Sequence, residues 1–310
     1  MTRTEQLARF EELRPLLFSI AYRILSSVSE AEDAVQETWL RWEASDARPD
    51  SIKAYLSAVV TRVSINVLNS AKVRRERYVG PWFPEPLLDD PFEDPERSVE
   101  LADSISMASL LLLERLSPLE RAVFVLREVF GYGYDDVAAA VGRSEAACRQ
   151  LAARARRHMD AGRPRFEADR REREKLADRF FDAFKDGRVD ELRDLLAADV
   201  SMVSDSGGKA PQWGSGIFGA ENVARLLASL VAPFHRIGGA VELHSVNGQP
   251  GAIFRDHDGK VVNTLALDIA EGQIQTIRAV INPDKLGHVG PAADAGEVLR
   301  RTQQARSERG

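Results

Sequence analysis

The stretch Tyr134–Met159, YDDVAAAVGRSEAACRQLAARARRHM, decides how the chain is read. Val137, Val141, Cys148 and Leu151 are apolar at positions that would seal two crossing helices, and Ala138 is small where they touch. Gly142 falls at the turn, where a positive φ suits glycine. Ser144 can cap the second helix, and Glu145 suits its first turn. Beyond the cap, Arg149, Gln150, Ala153, Arg154 and Arg157 project from the far face, with Arg143 and Ser144 at its start. Arginine reads guanine bidentately and glutamine reads adenine in a major groove. The bland alternative is an amphipathic helix pair with a solvated basic face. Spacing, glycine, cap and charge together favour a DNA-reading helix-turn-helix. Cys148 reads as a small buried residue, not a redox switch.

Charge along the chain supports this reading better than the total does. The net charge of −6 argues against nucleic acid as a whole, but phosphate is bound by patches. Residues 61–78 carry Arg62, Lys72, Arg74, Arg75 and Arg77 against Glu76. Residues 143–157 carry five arginines against Glu145. Between them, residues 82–103 hold eight acids and a single base, Arg97. One cysteine excludes a disulfide framework and a cysteine zinc site within the chain. No apolar run reaches membrane-spanning length and the start is polar, so a cytoplasmic protein with no membrane partner is expected.

The periodicity predicts a multidomain chain. Residues 1–79 read as all-helical: one helix through Leu13, Leu16, Leu17, Ile20 and Ile24, a second opening at Ser29 or Glu30, and a third over about 52–73. Pro81, Pro84, Pro86, Pro91 and Pro95 forbid regular helix or central strand, so 80–104 reads as an acidic linker, with helix resuming near Arg97. Residues 105–162 hold the helix-turn-helix, and Ser117-Pro118 with Glu120 marks a helix start within them. Residues 163–290 begin with two amphipathic helices joined at Gly187 and running to Val200. The period then changes to two, which predicts antiparallel strands with turns at 256–260 and 270–273. Residues 291–310 read as a mobile tail.

The order of these parts resembles the extracytoplasmic-function sigma factors of bacterial transcription. The resemblance is carried by AEDAVQETWLRW (31–42), AYLSAVVTRVSINVLNSAKVRRER (54–77) and SPLERAVFVLREVFGYGYDDVAAAVGRSEAACRQLAARAR (117–156). It implies RNA polymerase core and promoter DNA as partners. Glu32, Asp33, Gln36, Glu37 and Leu40 would meet the clamp helices of the β′ subunit, and the helix-turn-helix domain would sit on the β flap. Arg62, Asn66, Asn69, Lys72, Arg74, Arg75 and Arg77 would hold the minus-ten element. The helix-turn-helix residues would read the minus-thirty-five element. Read physically, the acidic face is otherwise a wet helix surface, and Trp39 and Trp42 are packing residues. The family's Arg-Asn pair and downstream Asp and Arg correspond here to Thr61, Arg62, Asn66 and Asn69.

WFPEP (82–86), DSGGK (205–209) and NPDKL (282–286) resemble three motifs of the sigma-factor subgroup with a fused C-terminal SnoaL-like domain. Such a domain has the cone fold of nuclear transport factor 2, and the resemblance implies that it modulates the sigma domains. The expected fold is thus two all-α sigma domains followed by an α+β cone. The residues Trp82, Pro84, Glu85, Pro86, Asp205, Gly207, Gly208, Lys209, Asn282, Pro283, Asp284 and Lys285 form the expected regulatory contact within the chain.

Three enzyme chemistries compete with this reading of the third domain. DSGGKAP has alanine after Lys209 and lacks the upstream glycine, so it is not a phosphate-binding loop. His235, His244, His257 and His288 are scattered, which argues against a metal site. A general acid–base pocket would need Asp205, His244, Asp268 and Asp284 to converge. The motifs could instead dock on the sigma domains or on the linker near WFPEP, or line a pocket for an unknown small ligand. The expected protein is a non-enzymatic initiation factor without cofactor or metal. The alternatives are a SnoaL-like cyclase, isomerase or ligand sensor fused to a helix-turn-helix, and a plain promoter-binding repressor.

Overall fold

The computed structural model describes residues 2–76, 78–92, 94, 96, 101, 104–162, 170–209, 216–236 and 238–294, with side chains at 71–76 and 162 outside the description. It divides into two compact units. The first is Met1–Arg77 with Asp89–Arg163, and the second is Tyr78–Leu88 with Pro164–Gly310. The span 80–104 read as one linker is therefore shared between the two units. Of the helix expected to resume near Arg97, Leu101 and Ser104 are helical, and residues 97–100, 102 and 103 lie outside the described residues.

In the first unit, α1 (Arg3–Leu25) starts with a capping box between Thr2 and Glu5. Ser26 ends it in the left-handed region at φ 58°. Ser27 then caps α2 (Val28–Glu43) by accepting from the Glu30 amide at 3.1 Å. The second helix thus opens before the expected Ser29 or Glu30, because Ser27 is the residue whose hydroxyl reaches a free amide. α3 (Ile52–Glu76) completes the bundle. Leu17, Ile20 and Ile24 meet Leu56, Val60 and Trp42 in its core, all essentially inaccessible. Trp39 stacks at a tilt on Phe10 with centroids 5.1 Å apart, a packing role like that of Trp42.

The helices α4 (Met107–Leu113), α5 (Pro118–Phe124), α6 (Tyr134–Val141) and α7 (Glu145–Gly162) follow. Ser117, Glu120 and Pro118 form the expected start of α5, with a reciprocal capping box. α5 widens into a π turn over Val125–Val129. Two buried arginines tie the unit together. Arg23 of α1 donates to Asp90 at 2.9 Å, to the Ser104 hydroxyl at 2.7 Å and to the Leu101 carbonyl at 3.0 Å. Arg121 of α5 donates to the Ile24 carbonyl at 2.8 Å and to Glu114 at 2.6 Å. Burial pulls the Arg23 pKa down, and the Asp90 carboxylate opposes it.

In the second unit, α8 (Arg170–Asp186) and α9 (Val189–Leu195) turn at Gly187, φ +67°, as expected. The sheet then comprises β1 (Leu196–Asp205), β2 (Ile217–Phe218), β3 (Ala240–Val246), β4 (Gln249–Arg255), β5 (Val261–Ala270) and β6 (Gln273–Val280), with α10 (Ala220–Arg236) between β2 and β3. Residues 196–200, expected as the end of a helix, are strand, with Val200 and Met202 turned inward. The strand order is β2-β1-β6-β5-β4-β3. The expectation of a wholly antiparallel sheet fails at one place: β1 and β6 pair parallel, with Met202 opposite Ile277 and Asp205 opposite Val280. A parallel neighbour needs a long crossover, which α10 and the strands β2 to β5 supply here.

The helices cover one face of the sheet. Phe181 and Phe184 of α8 meet Phe254 of β4, Phe184 and Phe254 meet Phe234 of α10, and Phe180 packs on Phe181, with ring centroids 5.2–6.5 Å apart. This is the α+β arrangement expected of the third domain, with aromatic rings in its core. The turns at 256–260 and 270–273 form as expected, the latter with Glu271 and Gly272 at φ 53° and 72°. A further tight turn at Asn247-Gly248, φ 53° and 66°, joins β3 to β4. Of the expected tail, residues 291–294 pair with β5 through the Val261 amide on the Pro291 carbonyl and the Ala293 amide on the Val261 carbonyl, both 2.8 Å. Residues 295–310 lie outside the described residues.

Arg23 sets the stability of the first unit. Arg23→Ala would strand the mostly buried Asp90 without its counter-charge, at a cost of about 3–5 kcal/mol. Urea unfolding followed by tryptophan fluorescence measures it, and a loss below about 1 kcal/mol would contradict the assignment.

Candidate nucleic-acid interface and the clasp on the connector

The helix-turn-helix is built as its residues dictate. Gly142 ends α6 at φ +65°, and its amide bonds the Ala138 carbonyl at 3.0 Å. A side chain there would meet no neighbour, so the backbone angle alone selects glycine. Ser144 caps α7 by accepting from the Ala147 amide at 3.3 Å. Cys148, Leu151, Ala152, Ala155 and Met159 form the buried stripe of α7. Burial pushes the Cys148 thiol up, which leaves it a poor nucleophile.

The opposite face is exposed at Arg143, Ser144, Arg149, Gln150, Ala153, Arg154 and Arg157. Arg149 is held by Glu145 at 2.8 Å and lies 4.9 Å over the Tyr134 ring. Arg154 reaches Glu120 at 3.0 Å. These exposed pairs are weak and exchange readily for phosphate or base edges.

On α3, Arg62, Asn66 and Asn69 are exposed at helical spacing. Arg62 is engaged within the unit: its Nε donates to the Ala140 carbonyl at 3.0 Å, and its other nitrogen to the Ala139 carbonyl. Lys72, Arg74 and Arg75 lie on the last turns of α3, their side chains outside the described residues, as is Arg77. On α2, Glu32 pairs with Arg14 at 2.5 Å and Glu37 with Arg41 at 2.7 Å. Asp33, Gln36 and Leu40 face solvent, and Leu40 is half exposed among these acids.

The three short motifs come together in the second unit, around one carboxylate. Asp205 ends β1 and is fully buried. One of its oxygens accepts from the Tyr78 hydroxyl at 2.5 Å and the Gly207 amide at 3.0 Å. The other accepts from the Phe83 amide at 2.8 Å and from Lys285 at 2.7 Å. Lys285 also donates to the Phe83 carbonyl and lies 4.2 Å from the centroid of the Trp82 ring and 4.8 Å from that of Tyr78. Asn282 donates to the Tyr78 oxygen at 2.8 Å, and its own side chain caps the turn at Pro283–Lys285. Burial and the Asp205 carboxylate drive the Tyr78 phenol far above its usual pKa, so it stays a donor.

The segment Tyr78–Leu88 is thus clasped on the end of the sheet. Pro84 and Pro86 are buried in the clasp, and Glu85 is partly covered. The Pro86 carbonyl meets His288 Nε2 at 2.6 Å. Leu87 bonds Asn247 in both directions, its amide to the side chain at 3.1 Å and its carbonyl from the Asn247 amide at 2.7 Å. The glycines of DSGGK are small for a reason. A Cβ on Gly207 would lie 2.4 Å from Asn282 Nδ2, and one on Gly208 3.2 Å from Val79. Lys209 and Asp284 pair at 2.5 Å on the exposed rim, next to Pro283, which opens the turn.

Tyr78, Leu87, Asn247 and His288 lie outside the three short motifs, and Phe83, inside WFPEP, acts through its main chain. The Asn-Gly pair at 247–248 was the one available signal, as a hairpin turn.

The general acid–base grouping does not form. Asp268 bonds Arg278 at 2.6 Å and lies opposite Thr276, level with Ser201, four residues along the strand from Asp205. His244 is on the edge strand and bonds the Ser245 carbonyl, while Asp284 pairs with Lys209. A cleft of 230 Å³ opens between α8 and the β3–β4 hairpin, lined by Arg173, Phe181, His244 and Gln249 among others. None of the three short motifs lines it. Among the described residues, Asp256, His257 and Asp258 alone group three potential metal ligands, in a surface turn whose Asp256 already accepts two backbone amides. No helix of the described residues is long and apolar enough to cross a membrane.

Comparison with known proteins agrees with this anatomy. Residues 9–74 match the family described as Sigma-70 region 2, and residues 107–159 match Sigma-70, region 4. The chain is 36% identical over 289 residues to the ECF RNA polymerase sigma factor SigJ of Mycobacterium tuberculosis, covering 90% of this chain and 93% of that protein. It is 30% identical over 276 residues to a probable ECF RNA polymerase sigma factor, SigI, of the same species, covering 88% and 92%. The crystal structure of M. tuberculosis SigJ superposes with a TM-score of 0.70 at 32% identity, covering 93% of this chain and all of that one.

The clasp depends on Lys285. Lys285→Met keeps the stem and removes the charge, leaving Asp205 buried without its cation at a cost of about 3–5 kcal/mol. Hydrogen exchange at the Phe83 and Leu87 amides should accelerate at least tenfold, and unchanged protection would refute the clasp.

Proposed function

The chain belongs to the extracytoplasmic-function RNA polymerase sigma factors, and from that premise we propose that it directs the polymerase core to specific promoters in the cytoplasm and is modulated by its own C-terminal domain. The observation that carries the reading is the exposed Arg143, Arg149, Gln150, Arg154 and Arg157 face behind the Gly142 turn, in a chain that also holds region 2. In this reading α7 lies in the major groove of the minus-thirty-five element, where arginine and glutamine distinguish base edges. Arg62, Asn66 and Asn69, with Lys72, Arg74, Arg75 and Arg77, hold the minus-ten element, the amides meeting bases once they unstack. Glu32, Asp33, Gln36, Glu37 and Leu40 meet the clamp helices of β′, a half-exposed leucine ringed by acids suiting a basic surface with an apolar centre. The region-4 domain takes the β flap. Opening of the duplex draws on preferential binding of separated strands, with no nucleotide hydrolysis.

The C-terminal domain acts through the clasp. Residues 78–88 belong to the connector between regions 2 and 4. While clasped they cannot contribute to its reach, and their release adds up to about 36 Å of extended chain. Docking therefore sets how far apart the two DNA-reading modules can stand. The domain works here by binding its own connector, and Asp205 serves as a structural anion in place of a catalytic one.

Arg149→Ala with Arg154→Ala should abolish promoter-dependent run-off transcription by the reconstituted holoenzyme while the circular dichroism spectrum stays unchanged. Each lost base contact is worth about 1–3 kcal/mol. Normal run-off from the double variant would sink the recognition claim.

A further inference from the structure

The cleft between α8 and the β3–β4 hairpin is walled entirely by residues of the second unit. α8 presents two rows of side chains to it, each at a spacing of four residues. The inner row is Arg173, Ala177 and Phe181: a partly buried cation, a small buried side chain and a buried ring. The outer row is Arg170, Glu174 and Asp178, all exposed, with Arg170 paired to Glu174 at 2.9 Å. Across the gap, Leu243 stands opposite Ala252 in register, so it points to the helix-covered face of the sheet. It is still 45% exposed, because the cleft opens in front of it.

The Arg173 guanidinium is one bond short. Its Nη1 donates to the Oε1 of buried Gln249 at 3.2 Å, which tethers the cation across the cleft. Its Nε is shut off from solvent and meets no acceptor among the described residues. A buried donor without a partner is costly. Nε and Nη2 form the edge of a guanidinium that receives a carboxylate in two parallel hydrogen bonds. A carboxylate entering the cleft supplies the missing acceptor as the guanidinium turns toward it. The space of 230 Å³ lies below the roughly 300–1,000 Å³ of pockets for drug-sized ligands, which suits a single ring.

We propose that this cleft binds a small planar carboxylic acid of the benzoate class, its ring against Leu243 and Ala177 and its carboxylate on Arg173, and that binding tightens the hold on the connector. The link is the β3–β4 turn. Gly248 and Gln249 line the cleft, and Asn247, one residue earlier, bonds Leu87 in both directions, at 3.1 and 2.7 Å. The cleft as built belongs to the clasped form, so a ligand that fills it favours that form, and the clasped form in turn binds the ligand more tightly. The acids of the outer row are exposed and screened, so they oppose an anion only weakly. The site stands apart from the sigma-factor reading, on which only its consequence for transcription rests.

Calorimetric titration of the full chain with benzoate, at constant ionic strength and with benzamide as the uncharged isostere, tests the site. Benzoate should bind saturably with a Kd of about 1 mM or tighter, and benzamide at least about tenfold more weakly. Arg173→Met keeps the stem and removes the charge. It should weaken benzoate at least about tenfold while the circular dichroism spectrum stays unchanged. At saturating benzoate, hydrogen exchange at the Leu87 and Asn247 amides should slow at least about threefold. Weaker or unsaturable benzoate binding, equal affinity for benzamide, or full affinity in Arg173→Met overturns the site. The benzamide comparison uses the wild type, so it decides the matter even where the variant misfolds. Binding with unchanged exchange overturns the link to the connector. These readouts use the free chain without polymerase, so their failure leaves the sigma-factor reading standing, and a chain that gives no promoter-dependent run-off with core leaves the site standing.

Discussion

The second unit is organised around the Asp205 carboxylate. A fully buried anion is tolerable only if its lone pairs are met, and here each oxygen receives two donors. Those donors come from three places in the chain: the connector, the glycine turn after β1, and the turn after β6. Because Asp205 stands opposite Val280 in the parallel pair, the two strand ends emerge side by side and deliver their turns to one spot. The parallel pairing of β1 and β6 is therefore what assembles the clasp. The Ile281 and Asn282 amides on the Asp205 carbonyl, at 2.8 and 3.0 Å, continue the same alignment past the last strand residue.

Buried charge does comparable work in the first unit, where Arg23 and Arg121 reach across large sequence separations to main-chain carbonyls. Such groups add little to net stability against an apolar substitute, but they penalise any arrangement that leaves them unpaired. Both units thus use the cost of an unmatched ion to choose one packing. The exposed pairs of Arg149 and Arg154 belong to a different class. They are weak surface pairs, each with an exposed arginine, and they choose no packing.

Much of this was legible in the sequence because it is local. The Gly142 turn, the Ser144 cap, the Ser117 capping box and the buried stripe through Cys148 each follow from spacing within one or two helical turns. So does the proline-rich connector, whose residue types cannot enter a ladder or a helix interior. The failures were also physical. Leu196–Val200 continue an amphipathic helical pattern, but pairing with β6 takes them into the sheet. The sense of the β1–β6 pair is invisible to a period-two pattern, since parallel and antiparallel strands alternate alike. Tyr78 and His288 lie outside the three motifs, because they reach the clasp through a hydroxyl and a ring that only the tertiary fold brings there.

The sequence by itself determined the parts: a helical pair with a basic exposed face, an acidic connector that cannot fold alone, and an α+β domain bearing two glycine- and proline-marked turns. Only the tertiary structure decided what those turns do. SDSGGK is neither a phosphate cradle nor part of the rim of the cleft beside α8. Its glycines are small because Asn282 and Val79 stand where a Cβ would lie, and its aspartate is buried because Lys285 and the connector's own amide arrive to meet it. Residues 80 and 200 positions apart in the chain become partners through strand register and desolvation, which act over distances that local sequence does not record.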